Sequence, residues 1–552
     1  MIKKLHTRLL SLLLAAALLV GCVPGRASAF GFLEWLFSDE EEIQEQQNEF
    51  TITPYSEMEY TRPDLDEMQA LLDDVTEKAQ GKDTDAILDA VYAFYDAYDW
   101  FYTLSTLADL HYNAKLSDSY WEEEYEFCTA SMNEVDQMLT SLNVALAASP
   151  CRSKLEDAFF GEGFFDDYDT DDDWEPDEAL LELMSRENEL INQYYAQVAK
   201  SNTLLGSFFP PYTDMAQTLV DLIRTRNELA AYLGFDTYED YANTYLYARD
   251  YSTEQMAQYL DEIQEMLAPM YVGLYYDVDG RYCSEEDTYE YVRKLANAIG
   301  GTVLDAFNLL DQAGLYDITQ SDDKFNSSFE TYLTSYGEPF IFMNPDGSAF
   351  DQLTFAHEFG HFCNDFALGD KSVDIDVAEV FSQAMEYLSL IYITDYDDLL
   401  RLKMVDSLCT YVEQACYAKF EREMYLIPDD ELSVETLCSL YDRIATDYGL
   451  AYNDAYDREE FVAVNHFYTS PMYVFSYIIS NDAAMEIYQM ELESPGAGLD
   501  CYLENLSNPE GYFLAFLESA GLENPFVDGH VDEVAQMFRQ VLGKTSGMAN
   551  AA

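Results

Sequence analysis

Basic side chains are scarce in this chain. Over 552 residues, 28 Lys and Arg stand against 105 Asp and Glu, a formal net charge of −77. So acidic a chain repels polyanions, which excludes nucleic acid and anionic surfaces as partners. Its charge serves solubility and self-repulsion. Histidine is scarcer still, with six in all. The cysteines (Cys22, Cys128, Cys151, Cys283, Cys363, Cys409, Cys416, Cys438, Cys501) form no Cys-x-x-Cys pair. Most sit among apolar residues at helical spacing and read as buried free thiols, so no disulfide framework is implied. Beyond the N-terminus no stretch is long and apolar enough for a membrane helix, and there is no internal repeat.

What the chain does have is apolar content. At 49% hydrophobic residues general disorder is excluded, and the length allows a large core in two closely packed lobes. The N-terminus has its own logic. Lys3, Lys4 and Arg8 precede an apolar run from Leu9 to Val20, too short to span a bilayer and read as an export signal. Leu19-Val20-Gly21-Cys22 follows at once and looks like a bacterial lipobox, in which Cys22 becomes a lipidated N-terminus. Ala27-Ser28-Ala29 offers a competing cleavage site that would release a soluble protein. The expectation is a protein exported and lipid-anchored through Cys22 at the outer face of the cytoplasmic membrane, otherwise secreted. It reads as a signal at 1–22, an acidic linker at 23–60, an N-terminal helical lobe at 61–205, a catalytic domain at 206–545 and a tail at 546–552.

The histidines concentrate the chemistry. Thr354-Phe355-Ala356-His357-Glu358-Phe359-Gly360-His361-Phe362 contains His-Glu-x-x-His. On a helix, residues four apart share a face, so His357 and His361 reach one metal ion. Glu358 falls beside them, placed to take a proton from water that the metal activates. Phe355, Ala356, Phe359 and Phe362 mark a buried helix, and Asp351 or Ser348 is the expected cap. A catalytic zinc needs a third protein ligand and an open position. Glu379 supplies the candidate, 18 residues beyond His361 and flanked by Val377, Ala378, Val380 and Phe381. A carboxylate buried among such residues is costly unless paired, and a metal is one remedy. Glu386, two turns on, is placed to orient a ligand imidazole.

Around this motif the pattern is helical almost throughout. Long amphipathic helices are expected near 64–80, 84–115, 118–149 and 178–205, then 375–395, 398–426, 431–448, 471–493, 501–521 and 529–542. A helix ends at Gly234, and Ser252 with Gln255 forms a capping box. Pro339-Phe340-Ile341-Phe342-Met343 is the one convincing strand, in a short sheet whose edge suits an extended peptide. Asp167, Asp169, Asp171 and Glu178 are spaced like a calcium loop. Asp172 stands where such a loop needs Gly, and Pro176 intrudes, so a solvated acidic loop is the better reading. Val464 to Tyr477 gathers His466 with several phenols. His and Tyr can serve as oxyanion donors, although in a chain with 45 Tyr such runs are more often core.

Taken together these residues resemble the oligoendopeptidase F and thimet oligopeptidase family of zinc metallopeptidases. The likeness is carried by Arg226 to Tyr241 with Leu233-Gly234-Phe235-Asp236-Thr237-Tyr238, by the His357–His361 helix, by Ala378-Glu379-Val380-Phe381-Ser382-Gln383 with Glu386, and by His466-Phe467-Tyr468 with Tyr473 and Tyr477. It spans about 61–545. The resemblance implies a mostly α fold of two helical lobes around a deep channel, with a small sheet near the zinc helix. It implies Zn2+ on His357, His361 and Glu379, with Glu358 as general base. His466, Tyr473 and Tyr477 would contact substrate and stabilise the tetrahedral intermediate. The implied activity is internal cleavage of short, unstructured peptides. The family's Gly-rich, Lys-containing stretch appears only loosely, as Asp323-Lys324-Phe325-Asn326-Ser327-Ser328-Phe329. A helical zinc carboxypeptidase is the competing enzyme reading and needs a carboxylate-binding cation in the pocket. A catalytically inactive peptide-binding lipoprotein is the non-enzyme reading, and the complete set of ligands and base speaks against it.

Overall fold

Aspartate side chains start the first three long helices. Asp64 accepts the Glu67 amide ahead of α1 (Leu65–Ala79), Asp83 the Ala86 amide ahead of α2 (Thr84–Ala114), and Asp118 the Tyr120 amide ahead of α3 (Ser119–Ala147). Each cap satisfies a backbone donor left open at a helix start and sets negative charge at the positive end of the dipole. Val75, Ile87, Val91, Phe94, Phe101, Val135 and Leu142 close these three helices around a core of their own. The far end of α2, including Leu107 and Leu110, reaches into a second and larger core.

The structure, a computed structural model, describes residues 52–545 except 162, 166–177, 202–211, 273–281, 370–372, 394–396, 453–455 and 508. The signal and Cys22, most of the 23–60 linker, the acidic residues Asp167, Asp169 and Asp171, and the 546–552 tail therefore lie outside it.

Among the described residues, the longer helices that build the larger core are α4 (Glu178–Ser201), α5 (Tyr212–Tyr232), α6 (Thr253–Met266), α7 (Glu285–Ile299) and α8 (Gly301–Ala313), then, after a sheet, eight more of eight residues or longer. Ser252 and Gln255 form the expected capping box on α6. Ser284 and Asp287 form another on α7, a helix that the sequence reading did not place. Arg226, on α5, is wholly buried.

Three strands follow: β1 (Tyr316–Asp317), β2 (Ser328–Leu333) and β3 (Glu338–Met343), ordered β1-β3-β2. The expectation of a single convincing strand was too few. β3 is central and buried at every position, which is why its apolar run stood out. β2 is an antiparallel edge strand whose residues are only half buried near its start, and β1 is two residues long. Neither offers a strong pattern. Lys324, from the loosely matching stretch, is a structural cation. Its Nζ bonds Asp317 Oδ1 at 2.8 Å and the Met343 carbonyl at 2.7 Å, tying the ends of β1 and β3 together.

The remaining longer helices are α9 (Phe350–Leu368), α10 (Ile375–Tyr392), α11 (Asp397–Met424), α12 (Val434–Tyr448), α13 (Val474–Glu493), α14 (Ala497–Leu506), α15 (Phe513–Ala520) and α16 (His530–Thr545), with a single turn at His466–Thr469 before α13. Two of the boundaries that differ from expectation have a clear cause in the sequence. The helix read at 501–521 is broken into α14 and α15 around Pro509 and Gly511, since proline lacks the amide that would continue a helix. The one read from 471 begins at Val474, because Pro471 and Met472 form a bend. No described helix is long and apolar enough to cross a membrane. All eight described cysteines are free and buried.

Candidate active site

Two helices meet at a glycine. A side chain at Gly360 would place its Cβ 2.6 Å from Ser382 Cα and 2.7 Å from the Phe381 carbonyl, so α9 and α10 touch backbone to backbone there. That approach brings Glu379, one turn before Ser382, against the two histidines of α9. The start of α9 differs in part from expectation: the N-cap position is Ala349, Ser348 Oγ accepts the amide of the first helical residue, Phe350, at 3.2 Å, and Asp351 does not cap the helix. Asp351 instead accepts the Asp346 and Gly347 amides at 3.1 and 2.8 Å, stabilising the turn ahead of the helix.

His357 and His361 stand one turn apart with ring centroids 5.1 Å apart. Glu379 Oε2 lies 3.4 Å from His357 Nε2 and 3.7 Å from His361 Nε2. One ligand atom from each of the three falls within 4.8 Å of the others, and no other described group of His, Cys, Asp or Glu converges in this way. Bonds of ~2.0–2.2 Å at tetrahedral angles would put ligand atoms about 3.3–3.6 Å apart. The donor set therefore fits zinc in chemistry and in spacing.

The surroundings orient each group. His357 Nδ1 faces Glu386 Oε1 at 2.9 Å, and Glu386 Oε2 meets the buried Lys403 Nζ at 2.8 Å. This chain turns His357 Nε2 toward Glu379. Sequence reasoning found Glu386 but missed Lys403, which lies on another helix and carries no motif. Glu379 Oε2 accepts from Ser382 Oγ at 3.0 Å, and Oε1 accepts from Tyr473 OH at 2.8 Å. Burial alone would raise the Glu379 pKa; the His357 and His361 imidazoles and the Tyr473 hydroxyl outweigh it and hold it at about 2. Burial pushes His361 down to about 4, leaving its imidazole neutral and its lone pair free to bind.

Glu358 is buried beside this group. Burial, reinforced by the charges of Glu379 and Glu386 against the opposing effect of His357, pushes its carboxyl up to about 7. Behind it Glu330 of β2 faces Asp365 of α9, and burial raises both, Asp365 to about 7.

The late segment arrives from across the molecule. His466, Tyr473 and Tyr477 pack ring to ring: His466 to Tyr473 at 5.2 Å, Tyr473 to Tyr477 at 5.1 Å. Tyr477 OH lies 3.3 Å from His466 Nε2, and burial pushes His466 down to about 4. Tyr473 touches the histidine–glutamate group directly. Among the contacts described for Tyr477 is His466.

Buried helices carrying His-Glu-x-x-His and a downstream Glu, in an almost wholly helical fold, define a metallopeptidase class. The family model for the peptidase M3 N-terminal domain matches residues 55–173, and that for peptidase family M3 matches 302–529, a span holding every residue of the site. The chain belongs to peptidase family M3 and is oligoendopeptidase F-like. Solved structures show the same fold at low identity. One assigned as an oligoendopeptidase F is 19% identical, with a TM-score of 0.76 over 90% of this chain and 100% of that one. PZ peptidase A with an inhibitor is 18% identical, with a TM-score of 0.75 over 89% and 99%. A Bacillus anthracis protein, also assigned as an oligoendopeptidase F, is 19% identical at a TM-score of 0.72 over 90% and 99%. No curated protein matches the chain.

Proposed function

We propose that the protein is a zinc-dependent endopeptidase that hydrolyses internal bonds of short, unstructured peptides. The observation that carries this reading is the convergence of His357 Nε2, His361 Nε2 and Glu379 Oε2, 3.4–3.7 Å from carboxylate to imidazoles, with Glu358 on the same helix. Bound there, zinc would supply an activated water and a polarised carbonyl. The remaining chemistry belongs to the chain. Glu358 accepts the proton of the attacking water, and its raised pKa suits it to pass that proton to the leaving amine. Tyr473, whose single hydroxyl proton rests on Glu379 Oε1 before substrate arrives, turns it to the oxygen that gains charge as the carbonyl is attacked. His466, neutral and in contact with both phenols, contributes a second donor, and Tyr477 holds it. Glu386 and Lys403 keep His357 turned toward the site.

Export by the 1–22 segment and a lipid on Cys22 would place this activity outside the cell, on peptides from the surroundings. Labelled lipid incorporated in wild type and absent from Cys22→Ala would support the anchor; equal labelling would refute it.

Metal analysis of the purified protein together with digestion of a mixed peptide library tests the main reading. One zinc per chain and cleavage of peptides blocked at both ends support it. Release of C-terminal residues alone would make it a carboxypeptidase. Peptide binding without hydrolysis would make it a binding protein.

A further inference from the structure

Two buried arginines hold the segment that carries His466 and Tyr473, in a chain with few cations to spare. Arg226, from α5, donates to the Phe467 carbonyl at 2.7 Å and the Tyr468 carbonyl at 2.5 Å. Arg249 grips the other end. Its Nη2 donates to the Met472 carbonyl at 2.9 Å and to Ser476 Oγ at 3.0 Å, and its Nη1 to Asn243 Oδ1 at 2.8 Å. Its Nε lies 3.5 Å from Asp376 Oδ2, in the first turn of α10, three residues before Glu379. Tyr251 OH fixes the same Asp376 oxygen at 2.6 Å. Tyr247 OH donates to the Pro471 carbonyl at 2.7 Å, and the Tyr247 ring meets the Tyr473 ring edge-on at 6.3 Å.

The backbone supplies an independent observation. Among the described residues, two that are not glycine have positive φ: Ala248 at 47° and Met472 at 66°. They belong to the two strands of chain that this contact joins. Ala248 sits between Tyr247 and Arg249, and Met472 between Pro471 and Tyr473. A residue with a Cβ disfavours this conformation and keeps it only where its surroundings impose it. The two strained bends are joined by the bonds of Tyr247 to Pro471 and of Arg249 to Met472, next to the residue that carries the hydroxyl bonded to Glu379.

We infer that Arg249 is a positioning residue for the peptidase reaction: it couples the start of the Glu379 helix to the bend at Met472 and so sets the Tyr473 hydroxyl over the site. The contacts close a ring, from Glu379 along α10 to Asp376, through Arg249 to Met472, and from Tyr473 back to Glu379 Oε1. Guanidinium chemistry suits the task, since its planar fork serves several acceptors at fixed angles and stays charged when buried. Tyr247 is the lesser partner, holding Pro471. This inference rests on the reading of Tyr473 as an oxyanion donor.

The test compares Arg249→Gln, Tyr247→Phe, Tyr473→Phe and the double variant Arg249→Gln/Tyr473→Phe in the full chain. The measurements are kcat and KM on a quenched fluorescent peptide, zinc content, and hydrogen exchange of the 467–476 amides in metal-free protein. Arg249→Gln should lower kcat about tenfold or more at nearly constant KM and zinc content, and Tyr247→Phe about threefold. In the Tyr473→Phe background the Arg249→Gln change should cost less than about twofold further, because the two act through one group. Exchange near Met472 should quicken in Arg249→Gln. Should Arg249→Gln fail to fold, Tyr247→Phe, which deletes a single hydroxyl, carries the same comparison. A full additive loss in the double variant overturns the inference by making Arg249 scaffold. Wild-type kcat in Arg249→Gln and Tyr247→Phe beside a loss in Tyr473→Phe overturns the linkage alone. Wild-type kcat in Tyr473→Phe overturns the role of Tyr473 and the linkage with it.

Discussion

The α1–α3 region and the α9–α10 pair are both built from long helices, yet they differ sharply in how much charge they bury. Inside α1–α3 the core is mostly apolar, from Val75 and Ile87 to Leu142 and Leu146. Among the described residues its two buried acids lie on α3, Asp136 answered by Tyr98 and Tyr102 and Glu124 by Tyr60 and Arg62. Inside the pair, α9 buries Glu358, His361, Asn364 and Asp365, and α10 buries Asp376, Glu379, Ser382, Gln383 and Glu386. Buried charges weaken a fold unless partners answer them. Here the answers come from far along the chain: Lys403 for Glu386, Tyr473 for Glu379, Arg249 for Asp376. The first region stores stability in area. The second spends stability on fixing polar atoms, which is what a catalytic centre requires.

That contrast is sharpened first by metal binding, where the largest effect is expected. Glu379→Ala removes a proposed ligand and should abolish stoichiometric zinc, while Glu386→Ala, which only orients His357, should weaken affinity by about 10–100-fold. Chelator competition measures both, and equal losses would break the distinction between ligand and orienting residue. In the apolar region the expectation reverses. Phe94→Ala should cost about 3–5 kcal/mol of stability by denaturant unfolding yet leave kcat unchanged where the protein stays folded. A fall in kcat without loss of stability would show that the two regions are not separable.

A third case lies between these extremes, since α13 and α16 share a buried ion pair outside the site. His530 Nε2 meets Asp482 Oδ2 at 2.6 Å, and Tyr259 and Tyr411 bond the same aspartate. Burial would lower the His530 pKa, but Asp482 outweighs it and raises it from 6.5 to about 9. Because the folded-state value is raised, this stability is fully present below pH 6.5 and is lost as pH rises through about 9. The loss is on the order of 1–3 kcal/mol. Urea unfolding across that window should show a steeper decline in wild type than in His530→Gln; parallel curves would remove the pair from the stability account.

The smallest effect concerns the field. With −77 formal charges, cationic peptides should show higher kcat/KM than matched acidic ones. The gap should close as the Debye length falls from ~10 Å at 0.1 M salt to ~3 Å at 1 M. Equal kcat/KM at low salt would leave the charge with no part in substrate choice.

The same contrast decides how much was legible beforehand. The helices α1, α2 and α3 were legible from apolar spacing alone, because local rules govern them; their caps, Asp64, Asp83 and Asp118, came to light only in the structure. His357, Glu358 and His361 were legible from one motif on one helix, and Glu379 from its apolar flanks on the next. β2 was missed: an edge strand with one face partly exposed carries Ser, Glu and Thr at intervals and shows no apolar run. Lys403, Arg226 and Arg249 were invisible as functional residues, since their partners lie about 17 to 240 positions away and only the fold brings them together. Gly360 was written inside the motif, but its purpose appears only when α10 is laid against it.

The central claim is that Glu358 performs proton transfer beside a metal held by His357, His361 and Glu379. Glu358→Gln keeps the size of the side chain and removes its basicity. Zinc content and turnover of a short blocked peptide, measured on the same preparation, test the claim most directly. The account predicts one zinc per chain with turnover lower by several orders of magnitude; turnover near that of wild type, with zinc retained, would contradict it.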